Sequence, residues 1–396
     1  MTVETTTSLS EVSASEQQNQ LATYKKMPIV AARGEGIWLY TSEGDKYLDL
    51  YGGHAVAGTG HCHPHVVQAI QKQSAQLLFY SNLVYSETRA RAAEKLISVS
   101  PKPLAKVFFC NSGTEANENA MRIARMKTGR EKIITFSGGF HGRTADAISA
   151  TFLGRYRELG KPNVPGHLEA KFGDIDSVRA LADDTVAAVM LEPIQSMAGV
   201  KTANPEFFIE LRALCDERGM LLIFDEVQTG IGRTGNWFFS GSEFAGLVVP
   251  DIVTLAKALG SGVPVGACLV SDNAAAAIKE NDLGTTFGGG MLAMAAVSAT
   301  LEAIDADGML ENVRNVEAYL REQITGVESV VAVHGNGFLL GIEFAQKAAQ
   351  VHQALLERKI ITGTSSDAHT LRLLPPLTMS TENVDLFINA LREIES

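Results

Sequence analysis

The sequence predicts an α/β fold, with a large domain built on a mostly parallel sheet flanked by helices and a smaller α+β domain. Short apolar runs alternate with helix-patterned segments over residues 66–290. Such alternation is typical of parallel sheets, because parallel neighbours need a crossover connection that is usually a helix. Beyond residue 290, helices and strands follow without that alternation. At 396 residues and 45% hydrophobic content, the chain is long enough for about two to three domains.

The first 65 residues are predicted to contain a tail and one part of the smaller domain. Residues 1–20 are rich in Thr and Ser and slightly acidic, which predicts a disordered tail, and they lack the basic and apolar regions of a signal peptide. Residues 21–65 include RGEGIWLYTSEGDKYLDLYGG, whose alternation around Gly and Asp predicts two or three short strands. This second stretch is therefore assigned to the smaller domain as its N-terminal segment.

The remaining elements divide between the large domain, residues 66–290, and the C-terminal part of the smaller domain, residues 291–396. Helical spacing of apolar residues predicts helices at 66–78, after Pro64, at 115–127 and 207–215, the last ending at Gly219, and then at 293–304, 310–324, 349–358 and after Thr381. Short apolar runs predict strands at 105–110, 132–136, 187–191, 220–224, 330–333 and 338–344.

Composition argues against several classes of partner. The formal net charge is -11 and no long Lys/Arg tract is present, which disfavours nucleic-acid and anionic-membrane partners. No apolar stretch reaches the length of a membrane span, and a cytoplasmic location is predicted. The four cysteines are scattered, which predicts reduced core thiols. The GHCHP segment has no distant Cys/His partner cluster, so no metal site is predicted.

An amine and a carboxylate follow two of the buried apolar runs. Asp225 ends LLIFDEV, and Lys257 lies in TLAKALGSGVPVGA. Both are predicted at the carboxyl ends of strands, where open α/β sheets bind ligands. An enzyme that uses pyridoxal phosphate (PLP) needs a lysine for a Schiff base and a carboxylate that keeps the pyridine nitrogen protonated. The pair alone would also suit solvated surface groups, and Asp225 alone would suit a helix N-cap.

Two further motifs suit the phosphate and the ring of such a cofactor. In NSGTEAN, Ser112 or Thr114 can cap a helix whose free N–H groups bind an anion, although an ordinary capped helix fits the string as well. In FHGR, Phe140 can stack on a flat heterocycle and Arg143 can grip a carboxylate, although a surface turn is the simpler interpretation of this string alone.

The chain resembles a class III (ornithine-type) PLP-dependent aminotransferase from about Tyr24 to its end. The resemblance rests on motifs in the order and spacing of that family, and the subfamily it resembles most is acetylornithine/ornithine aminotransferase. It implies the PLP-dependent transferase fold type I and a homodimer with shared active sites. The matching motifs are NSGTEAN, FHGRT, LEPIQ, FDEVQTGIGRTG, TLAKALGSGVPVGA, TTFGGG and LRLLPP.

The resemblance implies a role for each matched residue. Lys257 would form the Schiff base and later move the proton between Cα and C4′, and Asp225 would pair with the pyridine nitrogen. Substrate carboxylates would bind Arg143 and Arg372. The other implied cofactor contacts are Ser112, Gly113 and Thr114 at the phosphate, joined by Thr286 from the second subunit, Phe140 and Val227 on the ring faces, Gln228 at the phenolic oxygen, and His141 and Glu192 beside the cofactor.

Three positions depart from the family pattern, and all three concern the substrate. Met197 replaces a glutamate that in relatives pairs with the arginine matching Arg372. The family's GGNPL is Gly289–Leu292 here, reading GGML. His54 stands where ornithine enzymes carry a tyrosine and acetylornithine enzymes an aliphatic residue. The chemistry class is unaffected, but the amine donor is left open.

The implied activity is transfer of an ω-amino group from N-acetylornithine, ornithine or a related amine to 2-oxoglutarate, which gives glutamate and an aldehyde. Other donors, such as 4-aminobutyrate or a diamine, remain open. An aminomutase or racemase on the same fold would keep Lys257 but would need no keto acid. A non-enzymatic PLP-binding regulator is disfavoured, because no DNA-binding domain is fused and Lys257 is intact.

Overall fold

The computed structural model describes residues 8–395. Its helices are α1 Leu9–Asn19, the short α2 Gly52–Ala55, α3 Pro64–Gln76, α4 Glu87–Ser98, α5 Gly113–Thr128, α6 Ala145–Ser149, α7 Arg155–Leu159, α8 Ile175–Arg179, α9 Pro205–Arg218, α10 Asp272–Ala275, α11 Met291–Ala306, α12 Met309–Ile324, α13 Ala348–Glu357 and α14 Thr381–Glu395. The helices predicted from periodicity are all present, with bounds that differ by a few residues.

The strands likewise include every predicted one. They are β1 Ala31–Glu35, β2 Trp38–Thr41, β3 Lys46–Asp49, β4 Leu104–Cys110, β5 Lys132–Phe136, β6 His167–Ala170, β7 Val186–Leu191, β8 Ile194–Gln195, β9 Lys201–Thr202, β10 Leu221–Asp225, β11 Ile252–Leu255, β12 Gly266–Ser271, β13 Val330–Asn336, β14 Leu339–Phe344, β15 Ile360–Ile361, β16 Gly363–Thr364 and β17 Thr370–Leu373.

The disordered tail predicted for residues 1–20 is wrong for the stretch that forms α1. The Ser8 side chain accepts a hydrogen bond from the backbone N–H of Glu11, and the Glu11 carboxylate accepts one from the backbone N–H of Ser8. This reciprocal capping box starts a helix that carries no buried residue. Residues 1–7 of the predicted tail lie outside the described residues.

A seven-stranded sheet forms the centre of the large domain, in the order β4-β12-β11-β10-β7-β5-β6. Strand β12 is antiparallel to both of its neighbours, and the remaining pairs are parallel. The prediction of a mostly parallel sheet is therefore confirmed. Within it, Asp225 of β10 lies opposite Thr254 of β11, so the carboxyl ends of these neighbouring strands bring Asp225 and the Lys257 segment to the same edge.

Both faces of this sheet are buried, which explains why its strands read as continuous apolar runs. In β10, Leu222 and Phe224 pack in the same core as Phe208 of α9. The alternate residues Leu221 and Ile223 pack in a second core with residues of α5. Successive side chains of a strand point to opposite faces, so this one apolar run packs against helices on both sides of the sheet.

The smaller domain combines segments from the two ends of the chain. Strands β13, β14, β17 and β16 form an antiparallel sheet, and α12 and α13 both contact α14. Strand β3 pairs in parallel with β15 in a second sheet that also contains β1 and β2. The N-terminal segment thus joins C-terminal residues, while the domain boundaries at residues 20, 65 and 290 stay a prediction.

Other features of the described residues bear on the composition arguments. No helix within residues 8–395 is long and apolar enough to cross a membrane. The cysteines are free; three are buried and Cys62 is exposed, so the prediction of a core thiol is wrong at Cys62. His61 and His63 of GHCHP and the following His65 contact three different acids, and residues 8–395 show no His/Cys/Asp/Glu group suited to a metal.

Candidate active site

A cavity of about 510 Å³ opens at the carboxyl ends of the parallel strands, where the sequence places the cofactor. It is lined by most of the predicted cofactor residues and by one of the predicted substrate arginines. These lining residues are Ser112, Gly113, Thr114, Phe140, His141, Arg143, Glu192, Asp225, Val227, Gln228 and Lys257. Residues far apart in the chain therefore converge on a single site.

Asp225 is held rigidly at the base of this cavity. Its Oδ2 atom accepts hydrogen bonds from Nδ2 of Asn117 at 2.7 Å and from Nδ1 of His141 at 2.9 Å. Its Oδ1 atom accepts one from the backbone N–H of Val227 at 3.1 Å. Burial makes these partners necessary, since an unpaired buried carboxylate is costly. The sequence interpretation gave Asn117 no role, although it closes the NSGTEAN motif.

Lys257 begins a short 3-10 turn directly after β11. Its φ of 47° lies in the left-handed region, a conformation that non-glycine residues adopt infrequently and often at functional sites. Burial lowers the pKa of its amine to about 8, against the opposing attraction of Asp225 and Glu192. The amine is thus much more available as an uncharged nucleophile near neutral pH than an ordinary lysine would be.

Glu192 adds a second buried carboxyl group beside Asp225. Its Oε1 atom accepts a hydrogen bond from the backbone N–H of Phe140 at 2.7 Å. Burial raises the pKa of Glu192, and the charge of Asp225 raises it further. Two neighbouring carboxyl groups in different environments can be in different protonation states at the same pH.

The N-terminus of α5 lines the end of the cavity where the sequence predicts an anion. The Ser112 side chain caps this 16-residue helix by accepting from the backbone N–H of Glu115 at 3.3 Å. Gly142 allows the FHGR loop to approach this end: a Cβ atom there would lie 2.1 Å from Oγ1 of Thr114. Free N–H groups and the helix dipole both favour a phosphate at such an end.

Phe140 and Val227, the two side chains predicted to lie on the ring faces, both line the cavity. Phe140 lies edge-on to Tyr156, with centroids 5.5 Å apart. Val227 packs so closely over the helix start that a Cβ atom at Gly113 would lie 3.0 Å from its Cγ2 atom. The Oε1 atom of Gln228 is buried and has no hydrogen-bond partner among the described residues, which leaves this amide free for a ligand.

Arg372 lies on β17 of the smaller domain and is 3% exposed. Its Nη2 atom donates to the Tyr51 hydroxyl at 2.6 Å and its Nη1 atom to Oγ of Ser196 at 3.1 Å. Its Nε atom donates to the carbonyl of Thr364 at 2.7 Å. Burial lowers the pKa of this guanidinium from its usual value. Within residues 8–395, no carboxylate forms a salt bridge with Arg372, in agreement with the loss of the family glutamate at Met197.

The other predicted substrate residues surround the cavity without lining it, except for Arg143. Arg143 is exposed, and its guanidinium lies 4.9 Å from the Tyr156 ring centre. His54 is near enough to Arg372 and Lys257 that, after burial, their charges lower its pKa. Met197 is half-buried and accepts a backbone hydrogen bond from Ser366 at 2.8 Å.

Thr286 is exposed and does not line this cavity. The structure therefore does not bring it to the cofactor site of its own subunit. Sequence reasoning also missed the three neighbours that complete the substrate side, Tyr51, Tyr156 and Ser196. Tyr51 and Tyr156 lie outside the motifs. Ser196 directly follows the LEPIQ motif, in the segment that departs from the family pattern, but the sequence gives no sign of its contact with Arg372.

The residues present fit PLP. Helix α5 offers N–H groups to a phosphate, Asp225 offers a fixed carboxylate, and Lys257 offers an amine with a lowered pKa. The orphaned amide of Gln228 supplies a further polar group on the wall of the same cavity. A cavity of about 510 Å³ is within the usual range for a cofactor site.

Several known proteins are similar to this chain in sequence or in structure. The chain is 43% identical over 365 residues to the acetylornithine aminotransferase of Methanopyrus kandleri, which covers 92% of this chain and 93% of that protein. It is similar to the structure of acetylornithine aminotransferase from Elizabethkingia anophelis, with a TM-score of 0.84 and 27% identity, covering 98% of this chain and 100% of that one.

A structure of ornithine aminotransferase from Toxoplasma gondii has a TM-score of 0.91 and 26% identity, covering 98% of this chain and 95% of that one. That structure is described as having partial occupancy of PLP at the protein active site. The family model "Aminotransferase class-III" matches residues 20–394. Because this match spans almost the whole chain, the protein belongs to the class III aminotransferases, a family of PLP-dependent enzymes.

Proposed function

We propose that this aminotransferase transfers the terminal amino group of N-acetylornithine, or of the closely related ornithine, to 2-oxoglutarate. The observation that carries the choice of keto acid is Arg372, a buried guanidinium held by Tyr51, Ser196 and a backbone carbonyl, with no carboxylate salt bridge in the described chain. Such a group is prepared to receive a substrate carboxylate. Arg143 at the cavity wall suits the second carboxylate of 2-oxoglutarate. The similarity to acetylornithine aminotransferases supports N-acetylornithine as donor.

The residues of this chain divide the work between binding and proton transfer. When bound, PLP supplies an aldehyde that exchanges amines and a ring that accepts electrons. Ser112, Gly113 and Thr114 would hold its phosphate, and Phe140 and Val227 would enclose its ring. The incoming amine would displace Lys257 from the cofactor. Lys257 would then accept the substrate proton at Nζ and return it. Asp225 would hold the proton of the pyridine nitrogen throughout.

A panel of amine donors with 2-oxoglutarate tests the function. N-acetylornithine and ornithine should give glutamate and the corresponding aldehyde. The better of these two donors should react faster than 4-aminobutyrate or a diamine. The product to measure is glutamate, and a reaction without 2-oxoglutarate is the control. Turnover of a donor to an isomer without any keto acid would instead identify an aminomutase or racemase.

We also propose a homodimer with shared active sites. Leu83 is 90% exposed, Tyr85 is 106% exposed and Phe287 is 65% exposed, next to the exposed Thr286. Phe79 and Phe287 touch, with ring centres 5.2 Å apart, so the two segments form one apolar surface. A second copy of the chain would cover this surface and bring Thr286 towards a neighbouring phosphate site.

Sedimentation should therefore give a mass of twice 42.4 kDa. Changing Tyr85 to Asp should shift the equilibrium towards monomer and lower PLP retention, since one phosphate ligand would be lost. Changing the equally exposed Leu21 (87% exposed), on a different segment, to Asp is the matched control and should leave the dimer intact. A stable monomer that turns over at the full rate would contradict the shared site.

Restoring the family's acid at position 197 should weaken the binding of dicarboxylates. The neighbouring Ser196 already contacts Arg372, so Met197→Glu would place a carboxylate close to that guanidinium. A partly buried pair of this kind is worth about 1 kcal/mol, or roughly fivefold in affinity. We expect glutamate and 2-oxoglutarate to bind about fivefold more weakly, with the ω-amine half-reaction less affected.

The Met197→Gln variant is the control, because it has nearly the same shape and no charge. Rapid-reaction kinetics of the two half-reactions give the dissociation constants. Equal glutamate affinity in the Glu and Gln variants would mean that residue 197 and Arg372 do not meet, and that Met197 only fills the wall of the pocket.

A further inference from the structure

A series of buried hydrogen bonds leads from Thr254 of β11, through Asn117 of α5, to Asp225 of β10. Oγ1 of Thr254 donates to Oδ1 of Asn117 at 2.6 Å. Nδ2 of Asn117 then donates to Oδ2 of Asp225 at 2.7 Å and to the backbone carbonyl of His141, also at 2.7 Å. The three side chains are at most 4% exposed. These hydrogen bonds link β11, α5 and the FHGR loop.

We propose that Thr254 and Asn117 are positioning residues that fix the Asp225 carboxylate for the pyridine nitrogen of PLP. The inference deepens the proposed function, on which it rests for the presence of PLP. Thr254 does not line the cavity, and the amide of Asn117, which does, directs its N–H bonds at Asp225 and at the His141 carbonyl. Thr254 would act through Asn117, and Asn117 through Asp225.

The His141 carbonyl and the Asp225 carboxylate set which way the Asn117 amide faces, and the Thr254 hydroxyl, which donates to Oδ1, holds it in that orientation. An amide oxygen only accepts hydrogen bonds and an amide NH₂ group only donates, yet the two have almost the same shape. With Thr254 donating to Oδ1, both N–H bonds of Asn117 are directed at acceptors, the Asp225 carboxylate and the His141 carbonyl. The reversed amide would set an oxygen against each of these two acceptors, so the observed orientation is the one that stabilises Asp225.

The remaining contacts of Asp225 show why this amide matters. His141 donates to the same Oδ2 atom at 2.9 Å, and the Val227 N–H donates to Oδ1 at 3.1 Å. Loss of the Asn117 donor would leave Oδ2 with His141 as its one partner, so the carboxylate would be held less firmly about its Cβ–Cγ bond. Thr254 lies directly opposite Asp225 in the β10–β11 register, so the strand pairing itself sets the length of this link.

Equilibrium binding of two cofactors to the apo-protein tests the proposal. One cofactor is PLP; the other is deazapyridoxal phosphate, in which a C–H group replaces the ring nitrogen. Thr254→Val removes the hydroxyl at almost constant volume, and Thr254→Ser keeps it. Fluorescence titration should show PLP binding about five- to tenfold weaker in the Val variant, because the buried Oδ1 atom of Asn117 would lose its hydrogen-bond donor and the amide would be held less firmly against Asp225. Binding of the deaza cofactor should change less than about twofold, and the Ser variant should resemble the unsubstituted protein.

A second substitution and a spectroscopic measurement complete the test. Thr254→Ala also lacks the hydroxyl, and it replaces the Val variant if that protein does not fold by circular dichroism. The ¹⁵N resonance of ring-labelled PLP should move towards the unprotonated position in the variant without a hydroxyl and stay in place in the Ser variant. Equal weakening for both cofactors, or no weakening for either, would overturn the positioning role. An unsubstituted protein that binds no PLP at all would refute the proposed function first, and this inference with it.

Discussion

Replacing Lys257 with alanine should reduce transamination by about 10³-fold or more and should change the absorbance of the bound cofactor. The residue has two tasks, as the amine that binds the PLP aldehyde and as the group that carries the substrate proton. General acid–base groups alone contribute on the order of 10²- to 10⁴-fold. The lowered pKa of the amine, about 8, fits both tasks, because burial lets this amine lose its proton at a lower pH than an ordinary lysine does.

The unsubstituted protein with bound PLP should be yellow. In Lys257→Ala, this colour and the transamination rate should be lost together. Lys257→Arg is the matched control: it retains a positive charge in the cavity but offers no free amine near neutral pH, so it should be as inactive as the alanine variant. Phosphate binding at α5 should persist in both proteins, since Ser112 and the helix N-terminus are unchanged. An unaltered visible spectrum in Lys257→Ala would remove this residue from its assigned role.

Replacing Asp225 with alanine should lower turnover by about 10²-fold or more while most of the bound cofactor is retained. The phosphate end and the ring faces do not depend on Asp225, so the loss falls on the electrostatic partner of the pyridine nitrogen. The structure adds a second consequence. Asn117 and His141 would each lose their acceptor in a buried site, so the variant should also unfold at a lower temperature.

Two other substitutions separate the charge of Asp225 from its shape. Asp225→Asn keeps the size and removes the charge, and it should lose nearly as much turnover as the alanine variant. The buried neighbour Glu226 hydrogen-bonds to the backbone N–H groups of Phe239 and Ser240, so Glu226→Gln should affect stability more than turnover. Turnover near the normal rate in Asp225→Asn would show that the carboxylate has no part in the reaction.

Much of the fold was predictable because its sheet is buried on both faces. Strand β10 is apolar up to its last residue, the charged Asp225. The strand and the functional carboxylate at its end could therefore both be predicted from one short segment. Helix α5 was legible for a similar reason, since Ser112 and Glu115 form its start and Gly129 ends it in the left-handed conformation. In these elements the pattern depends on residues that are close in the chain.

The tail was predicted wrongly for the opposite reason. The low hydrophobicity of residues 1–20 predicts disorder, whereas the Ser8–Glu11 capping box is a local signal that favours a helix. No residue of α1 is buried, so periodicity could give no support to the helix. Cys62 was also misplaced, since composition describes the average cysteine and not this exposed one.

The sequence by itself determined the alternation of strands and helices, the lysine and carboxylate at the strand ends, and the anion site at α5, because each is encoded within one short segment. Only the tertiary structure decided what surrounds these groups. The donors on Asp225 come from residues 117, 141 and 227, and the partners of Arg372 from residues 51, 196 and 364. Such contacts are set by the packing of distant segments, and hydrogen bonds require donor and acceptor within about 3 Å, a distance that spacing along the chain does not specify.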